Sequence, residues 1–396
     1  MSASQETRSA WHVEVFAPFP DSEEVVFGRV AARSAAFGRT SASGGAPVLI
    51  GSAAGHDSQD VAVRARGELL ERMSNVLAGR AAEAAGTVVA TFEQLRRRRV
   101  PAVDPVHWGG LQAREACQLW VAGRSLLTGA EALVPAGVAF VHHRPPTGCQ
   151  AVASAGSTGV AAHPDAAAAA DHAVWEIVER DLVRRSWYGG EPAPTVVRGD
   201  HPGLPAALEQ LLERLGLRLT VLLIPAPAAV GCLVACLHTR DGHRQSFGAR
   251  CGPVGARRQG IEKAGYEALM VRWSMSTPVA RNTWRQWAGG TVPRTAVEHA
   301  LWALHRQDSL RLWLDRPDSA GGFPPPGARP EPPEEAMCSP ARLLGTYTGE
   351  DVIAVDTTVA QARAEGVAVA RVVAPGAYPL PTGRHGDTSG LPHPFG

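Results

Sequence analysis

The chain has 396 residues, 45% of them hydrophobic and 19% charged. A chain this long buries roughly 75% of the surface its unfolded form exposes, so it folds without disulfide or metal staples. Thirty-nine Lys+Arg against 38 Asp+Glu leave a formal charge of +1, which argues against nucleic acid or anionic membrane as a partner held by overall charge.

Lys263 is the only lysine, so almost all the basic residues are arginines. The six cysteines (Cys117, Cys149, Cys232, Cys236, Cys251 and Cys338) include no CxxC pair. They indicate neither a disulfide framework nor a zinc site and are expected as buried small hydrophobes. The N-terminus lacks a basic start followed by an apolar core. The uncharged stretch 219–238 is broken by Pro225, Pro227 and Gly231. No secretion or membrane signal is present, and the expected compartment is the cytoplasm.

In chain order, residues 11–50 read as strands and loops. Residues 61–85 form a long helix with Asp57 or Ser58 as N-cap. Val88–Thr91, QLWVAG and VAFVHH read as strands. A second long helix spans 164–187, opened by His-Pro-Asp, and a short one spans 202–216. Two buried strands follow at 219–224 and 230–237. Helices are expected at 260–273 and 294–307. In the twenty residues 316–335, seven prolines and three glycines rule out a packed element. Strands return at 351–356 and 367–373, and the chain ends in a Pro-rich tail, 375–396. Long helices alternating with short strands indicate a mixed α/β (α+β) fold.

One motif occurs twice. Glu68-Leu-Leu-Glu71-Arg72 lies on the first long helix and Glu176-Ile-Val-Glu179-Arg180 on the second. Glutamates at i and i+3 share a helix face, and the aliphatic pair between them turns toward the core. Four carboxylates suit a hard cation such as Mg²⁺, and arginine forks suit phosphate oxygens. Two such helices face to face would cradle a metal-bound triphosphate. The bland alternative is a pair of solvated faces with i,i+4 bridges, Glu68 to Arg72 and Glu176 to Arg180. A small Ser157-Thr158-Gly159 loop precedes the second copy and offers hydroxyls and N–H groups to phosphate. A third helix carries Lys263 and Glu267 at i,i+4. Its alternative is a surface ion pair. His142-His143 reads as structural, since neighbours on a strand point to opposite faces. Arg96 to Arg99 reads as a solvated helix end, with an acidic leader peptide as the alternative ligand.

STGVAAHPDAAAAADHAVWEIVERDLVRRSW resembles the signature of the YcaO superfamily, and GHDSQDVAVRARGELLERMSN resembles its first E-x-x-E-R segment. WVAGRSLLTGAEALVPAGVAF, DVIAVDTTVAQARAEGVAVARVVAPGAYPL and GLPHPFG extend the likeness over nearly the whole chain. The resemblance implies a YcaO-like fold whose long helices bind Mg-ATP, over a catalytic domain at 46–396 after an N-terminal strand region at 1–45. It also implies ATP-dependent cyclodehydration of a ribosomally made precursor peptide, giving thiazoline or oxazoline from Cys, Ser or Thr. Glu68, Glu71, Glu176 and Glu179 would then be magnesium ligands. Arg72, Ser157, Thr158, Arg180, Lys263 and Glu267 would contact ATP. Thr158 stands where the family often has Asn, Arg64 where it often has a small Ser, and Lys263 where it usually has Arg. The tail keeps only Pro392 and Pro394 of a PxPxP ending.

Within that chemistry, thioamide or amidine formation is an alternative, because the nucleophile belongs to the substrate. A non-catalytic scaffold is another, motivated by Arg64. Only about fifty residues precede the first motif helix, so a leader-binding partner protein, E1-like or carrying an RRE, is expected. A flavin-dependent azoline dehydrogenase and a homodimer are compatible with the chain, whereas nucleic acid and membrane are not expected as partners.

Overall fold

Three antiparallel sheets and three long helices position the motif residues. In the computed structural model the described residues are 11–395, apart from 21, 39–45, 190–192, 198–203, 288–291, 307, 316–338 and 381–390. The Pro/Gly-rich segment 316–335, Cys338 and half of the Pro-rich tail lie outside the described residues.

The first sheet joins Glu14–Phe16, Val26–Arg33 and Val48–Gly55 in that order. The helix Ser58–Ala85 follows directly, with the Asp57 side chain accepting from the Asp60 N–H at 2.8 Å. This satisfies one of the four free amides at the helix start. Gly86 ends it in the left-handed region at φ 55.

A second sheet runs Ser246–Pro253, Val230–Thr239, Leu217–Ile224, Thr195–Val196. The helix Arg257–Met275 follows its last strand in sequence. The third sheet has the order Val88–Ala90, Gln118–Ser125, Ile353–Asp356, Ala368–Val373, Val160–His163, with Glu131–Pro135 pairing to Gln118–Ser125. The helix Ala166–Tyr188 leaves the strand Val160–His163 after an Asp165 N-cap that accepts from the Ala168 N–H at 2.8 Å.

Several expectations need correction. VAFVHH is not a strand: Ala136–Ala139 is a helical turn, and the pairing strand is the preceding Glu131–Pro135. Pro135 has no N–H to continue a ladder, and the chain turns there. His142, at φ 57, is therefore not on a strand, and His143 Nδ1 lies 2.9 Å from Glu83 Oε1. The helix expected at 294–307 is Ala296–His305, preceded by an unanticipated helix Pro278–Trp287. The strand Ser246–Pro253 was also missed, because its glycines obscure the β pattern.

The aliphatic pairs of both motifs face the core, as expected. Leu69, Leu70 and Val178 are essentially inaccessible, and Ile177 is buried. Of the cysteines, Cys232, Cys236 and Cys251 are buried, but Cys117 and Cys149 are only half-buried.

Candidate active site

Each motif carboxylate except Glu71 is held by a backbone N–H from a neighbouring strand or loop. Ser52 N–H donates to Glu68 Oε2 at 2.5 Å, Gly159 N–H to Glu176 Oε2 at 3.0 Å, and Cys251 N–H to Glu179 Oε2 at 3.0 Å. On the third helix, Glu267 Oε2 receives the Ala249 N–H at 3.1 Å. These bonds fix one oxygen of each glutamate, and the second oxygens of Glu68, Glu179 and Glu267 face arginines. A fixed carboxylate costs no rotamer entropy when it binds a ligand.

Electrostatics ties the helices together. Burial pushes the Glu71 carboxyl well above the ordinary carboxylate range, and the charges of Glu176 and Glu68 push it further. Glu176 is likewise raised by burial, against the lowering effect of Arg180. Burial raises Glu267 to about 7, offset in part by Arg180 and reinforced by Glu179. The first and second motif helices therefore present carboxylates near enough to repel one another in a poorly hydrated setting.

The arginines are deployed differently from the simple i,i+4 pattern. Arg72 pairs with Glu68 at 2.5 Å, as anticipated, and also donates to the Ile50 carbonyl at 2.7 Å. Arg180 faces Glu179 at 3.5 Å and Glu267 at 3.8 Å. It thus bridges the second and third helices rather than pairing with Glu176. Its guanidinium is held above its ordinary range by Glu179, Glu267 and Glu176, which together outweigh the opposing effect of burial. Glu267 meets Arg180, whereas the charges felt by Lys263 are those of Arg250, Arg64, Asp60 and Glu262.

Arg371 escaped sequence reasoning. It sits in the strand Ala368–Val373, is 7% exposed, and donates to the carbonyls of Gly156 and Val138, each at 2.8 Å. Burial lowers it to about 10, against the raising effect of Glu176 and Glu71. Arg371 thus clamps the loop that carries Ser157 and Thr158 and feels the charges of Glu176 and Glu71. The available signal was an arginine inside the apolar run AVARVV.

A cleft of about 490 Å³ opens between the first and third helices and the strands that lead into them. Its walls include Ser52, Asp60, Arg64, Arg250, Lys263 and Glu267. Arg64 is braced by Asp60 at 2.8 Å and by the Ala54 carbonyl at 2.7 Å. Thr158 instead lines a separate cavity of about 120 Å³ with Arg371 and Ile177. Ser157 is exposed. Lys263 and Glu267 thus share the large cleft, and Thr158 does not.

No group of three or more His, Cys, Asp or Glu among the described residues is gathered as a finished metal cage. The donor set nonetheless fits a hard cation. It is all oxygen, it holds more negative charge than its burial favours, and added positive charge would relieve the repulsion between Glu71 and Glu176.

Residues 52–378 match the family described as YcaO cyclodehydratase, ATP- and Mg²⁺-binding. No curated protein matches the chain. Among solved structures, a heterocyclase in complex with substrate and cofactor is 17% identical with a TM-score of 0.66, covering 95% of this chain and 50% of that one. This chain therefore spans half the length of that heterocyclase. The YcaO protein from Methanopyrus kandleri bound with AMPPCP and Mg²⁺ is 19% identical, with a TM-score of 0.56 and coverages of 92% and 86%. The E. coli microcin synthetase McbBCD complex with pro-MccB17 bound gives 13% identity, a TM-score of 0.62 and 99% coverage of both chains. At these identities the likeness establishes a shared fold. The family match, which takes in both E-x-x-E-R helices and the Lys263–Glu267 helix, establishes descent: the chain belongs to the YcaO cyclodehydratase family, whose cofactors are ATP and Mg²⁺.

Proposed function

We propose that the chain is an ATP-dependent cyclodehydratase acting on the backbone of a ribosomally made precursor peptide. A Cys, Ser or Thr side chain of the peptide adds to the preceding carbonyl carbon. The former amide oxygen takes the terminal phosphoryl group of ATP, leaving ADP. Phosphate then departs as the C=N bond of a thiazoline or oxazoline forms. An amide oxygen is a poor leaving group, and phosphorylation makes it a good one.

The observation that carries this reading is the carboxylate set. Glu68, Glu71, Glu176 and Glu179 lie on two long helices, each but Glu71 with one oxygen anchored by a backbone N–H. In this reading they hold magnesium, which neutralises phosphate charge when bound. Arg72, Arg180, Ser157, Lys263 and Glu267 contact the nucleotide, and Thr158, which lines the separate cavity beside Arg371, falls outside that set. Arg180 orients Glu267 and Glu179, and Arg371 keeps the Ser157–Thr158 loop against the carboxylates.

The test is ATP binding by the purified chain with and without Mg²⁺, wild type beside Glu176→Gln. Magnesium-dependent binding that the variant loses supports the reading. Equal binding by both proteins removes Glu176 from the metal site.

The peptide substrate and a leader-binding partner protein belong to the same proposal. Adding the partner should raise the rate of azoline formation on a leader-bearing precursor, and an undiminished rate without it would remove the partner. Thioamide or amidine formation is separated by the mass change in the product. One observation favours a scaffold as the second reading: Arg64 projects into the cleft beside Lys263 and Arg250. Failure to release phosphate with peptide and partner both present would favour it.

A further inference from the structure

Two cysteine pairs meet among the described residues: Cys232 with Cys251, buried across adjacent strands, and the half-buried Cys117 with Cys149. Cys117 Sγ and Cys149 Sγ lie 3.9 Å apart although 32 positions separate them in sequence. The other described cysteines, Cys232, Cys236 and Cys251, are buried. Accessibility and proximity therefore coincide at one pair only among the described residues, and a thiol must be accessible to react.

Backbone geometry sets the pair up. Cys117 immediately precedes the strand Gln118–Ser125, which is paired on both sides within the third sheet. Cys149 closes a turn in which its N–H donates to the Pro146 carbonyl at 2.9 Å and Gly148 adopts φ 82. The next N–H, that of Gln150, donates to the Cys117 carbonyl at 2.8 Å. The two backbones are thus already docked, and a bond of about 2.05 Å requires the sulfurs to close by about 2 Å.

The site also has a consequence. Cys149 stands at the base of the segment that ends at Gly159, whose N–H holds Glu176. That segment is further tied by Ala155 N–H to the Gly137 carbonyl and by Arg371 to the Gly156 carbonyl.

We propose that Cys117 and Cys149 form a redox-responsive dithiol that closes to a disulfide and pins the 149–159 segment to the third sheet. The reaction is thiol–disulfide exchange. One thiolate attacks an oxidised small-molecule disulfide such as oxidised glutathione, and the second thiol displaces glutathione from the mixed disulfide. Two protein S–H bonds are lost, one S–S bond forms, and two molecules of reduced glutathione leave. Burial and the neighbouring Cys117 thiol hold Cys149 above the usual thiol range, which disfavours its thiolate.

The experiment incubates the full chain with oxidised glutathione, alkylates the remaining thiols with iodoacetamide and maps tryptic peptides without reduction. Cleavage after Arg124 separates the two cysteines, and Arg144 is protected by Pro145, so Cys117 falls on peptide 115–124 and Cys149 on peptide 125–180. The expected result is a reducible link between these two peptides, with loss of two alkylatable thiols that Cys149→Ser and Cys117→Ser each prevent. Backbone amides of residues 149–159 should exchange hydrogen more slowly in the oxidised protein than in the reduced one. Both cysteines remaining alkylatable, glutathione retained on either, or a link to any other cysteine would overturn the dithiol. A correct link with unchanged amide exchange would overturn the pinning.

Discussion

Ser52 and Ala249 occupy equivalent places in two copies of one strand–helix unit. Each follows a glycine, and each donates its N–H to a glutamate on the next long helix, Ser52 to Glu68 and Ala249 to Glu267. The glycines do matching work. A Cβ on Gly51 would stand 2.1 Å from the Ala65 carbonyl oxygen, and one on Gly248 would stand 2.3 Å from that of Ala264. Absence of the side chain lets helix and strand backbones approach closely enough for the next N–H to reach the carboxylate.

Gly51→Ala and Gly248→Ala should therefore each destabilise the fold by about 1–3 kcal/mol, the usual cost of overpacking. Gly67, in the interior of the first motif helix, has nothing within 4 Å of a built Cβ. Gly67→Ala should stabilise by about 0.5–1 kcal/mol. Denaturant titration of the three variants checks both signs. A neutral Gly51→Ala would disprove the close approach.

Glu71 is raised by burial and then by the charges of Glu176 and Glu68. Replacing it with an uncharged near-isostere relieves the repulsion. Without magnesium, Glu71→Gln should melt at or above the wild-type temperature, while losing the stabilisation that Mg²⁺ with ATP gives the wild type. Thermal melts with and without Mg-ATP read both effects. A lower melting temperature without ligand would show that Glu71 is held by favourable contacts instead.

Glu267 gives a pH dependence with a defined sign. Its carboxyl rises to about 7 from an ordinary 4.5, so between those values the folded protein binds a proton that the unfolded chain has released. Stability from this group therefore falls as pH rises through the window, and the penalty is complete above about 7. Without metal or nucleotide, the wild type should lose more stability between pH 5 and pH 8 than Glu267→Gln does. Equal losses in the two proteins, measured by denaturant midpoint, would remove Glu267 as the source.

Asp181 follows the second motif directly and is fully buried. Its Oδ2 accepts from Arg185 Nε at 2.7 Å and the Tyr347 hydroxyl at 2.8 Å, and its Oδ1 from the Tyr378 N–H at 2.8 Å. Asp181→Ala strands a buried guanidinium and should cost about 3–5 kcal/mol. Chemical denaturation checks it, and a loss near zero would mean that Arg185 finds another partner. Asp181 anchors the second motif helix to the C-terminal segment and is not placed among the metal ligands.

The sequence by itself determined the long helices, a cap at Asp57 or Ser58 for the first, the aliphatic pairs that face inward and the duplicated E-x-x-E-R pattern. These features are local: helix period, capping and i,i+3 spacing are set within a few residues. It also carried the family, because the second-helix signature is specific. The Asp165 cap of the second long helix, which starts at Ala166 and not at 164, came from the structure. Tertiary structure decided what holds the glutamates. The donors are backbone N–H groups of Ser52, Gly159, Ala249 and Cys251, and a backbone amide has no side-chain identity to read. It decided that Arg180 reaches Glu267 instead of Glu176, because the third helix packs close enough to offer a second carboxylate. Arg371, distant in sequence from Glu71 and Glu176, joins them only through strand pairing with Val160–His163. The strand Ser246–Pro253 was hidden by the glycine that its helix requires: close packing of the two backbones selects a residue that β-propensity disfavours.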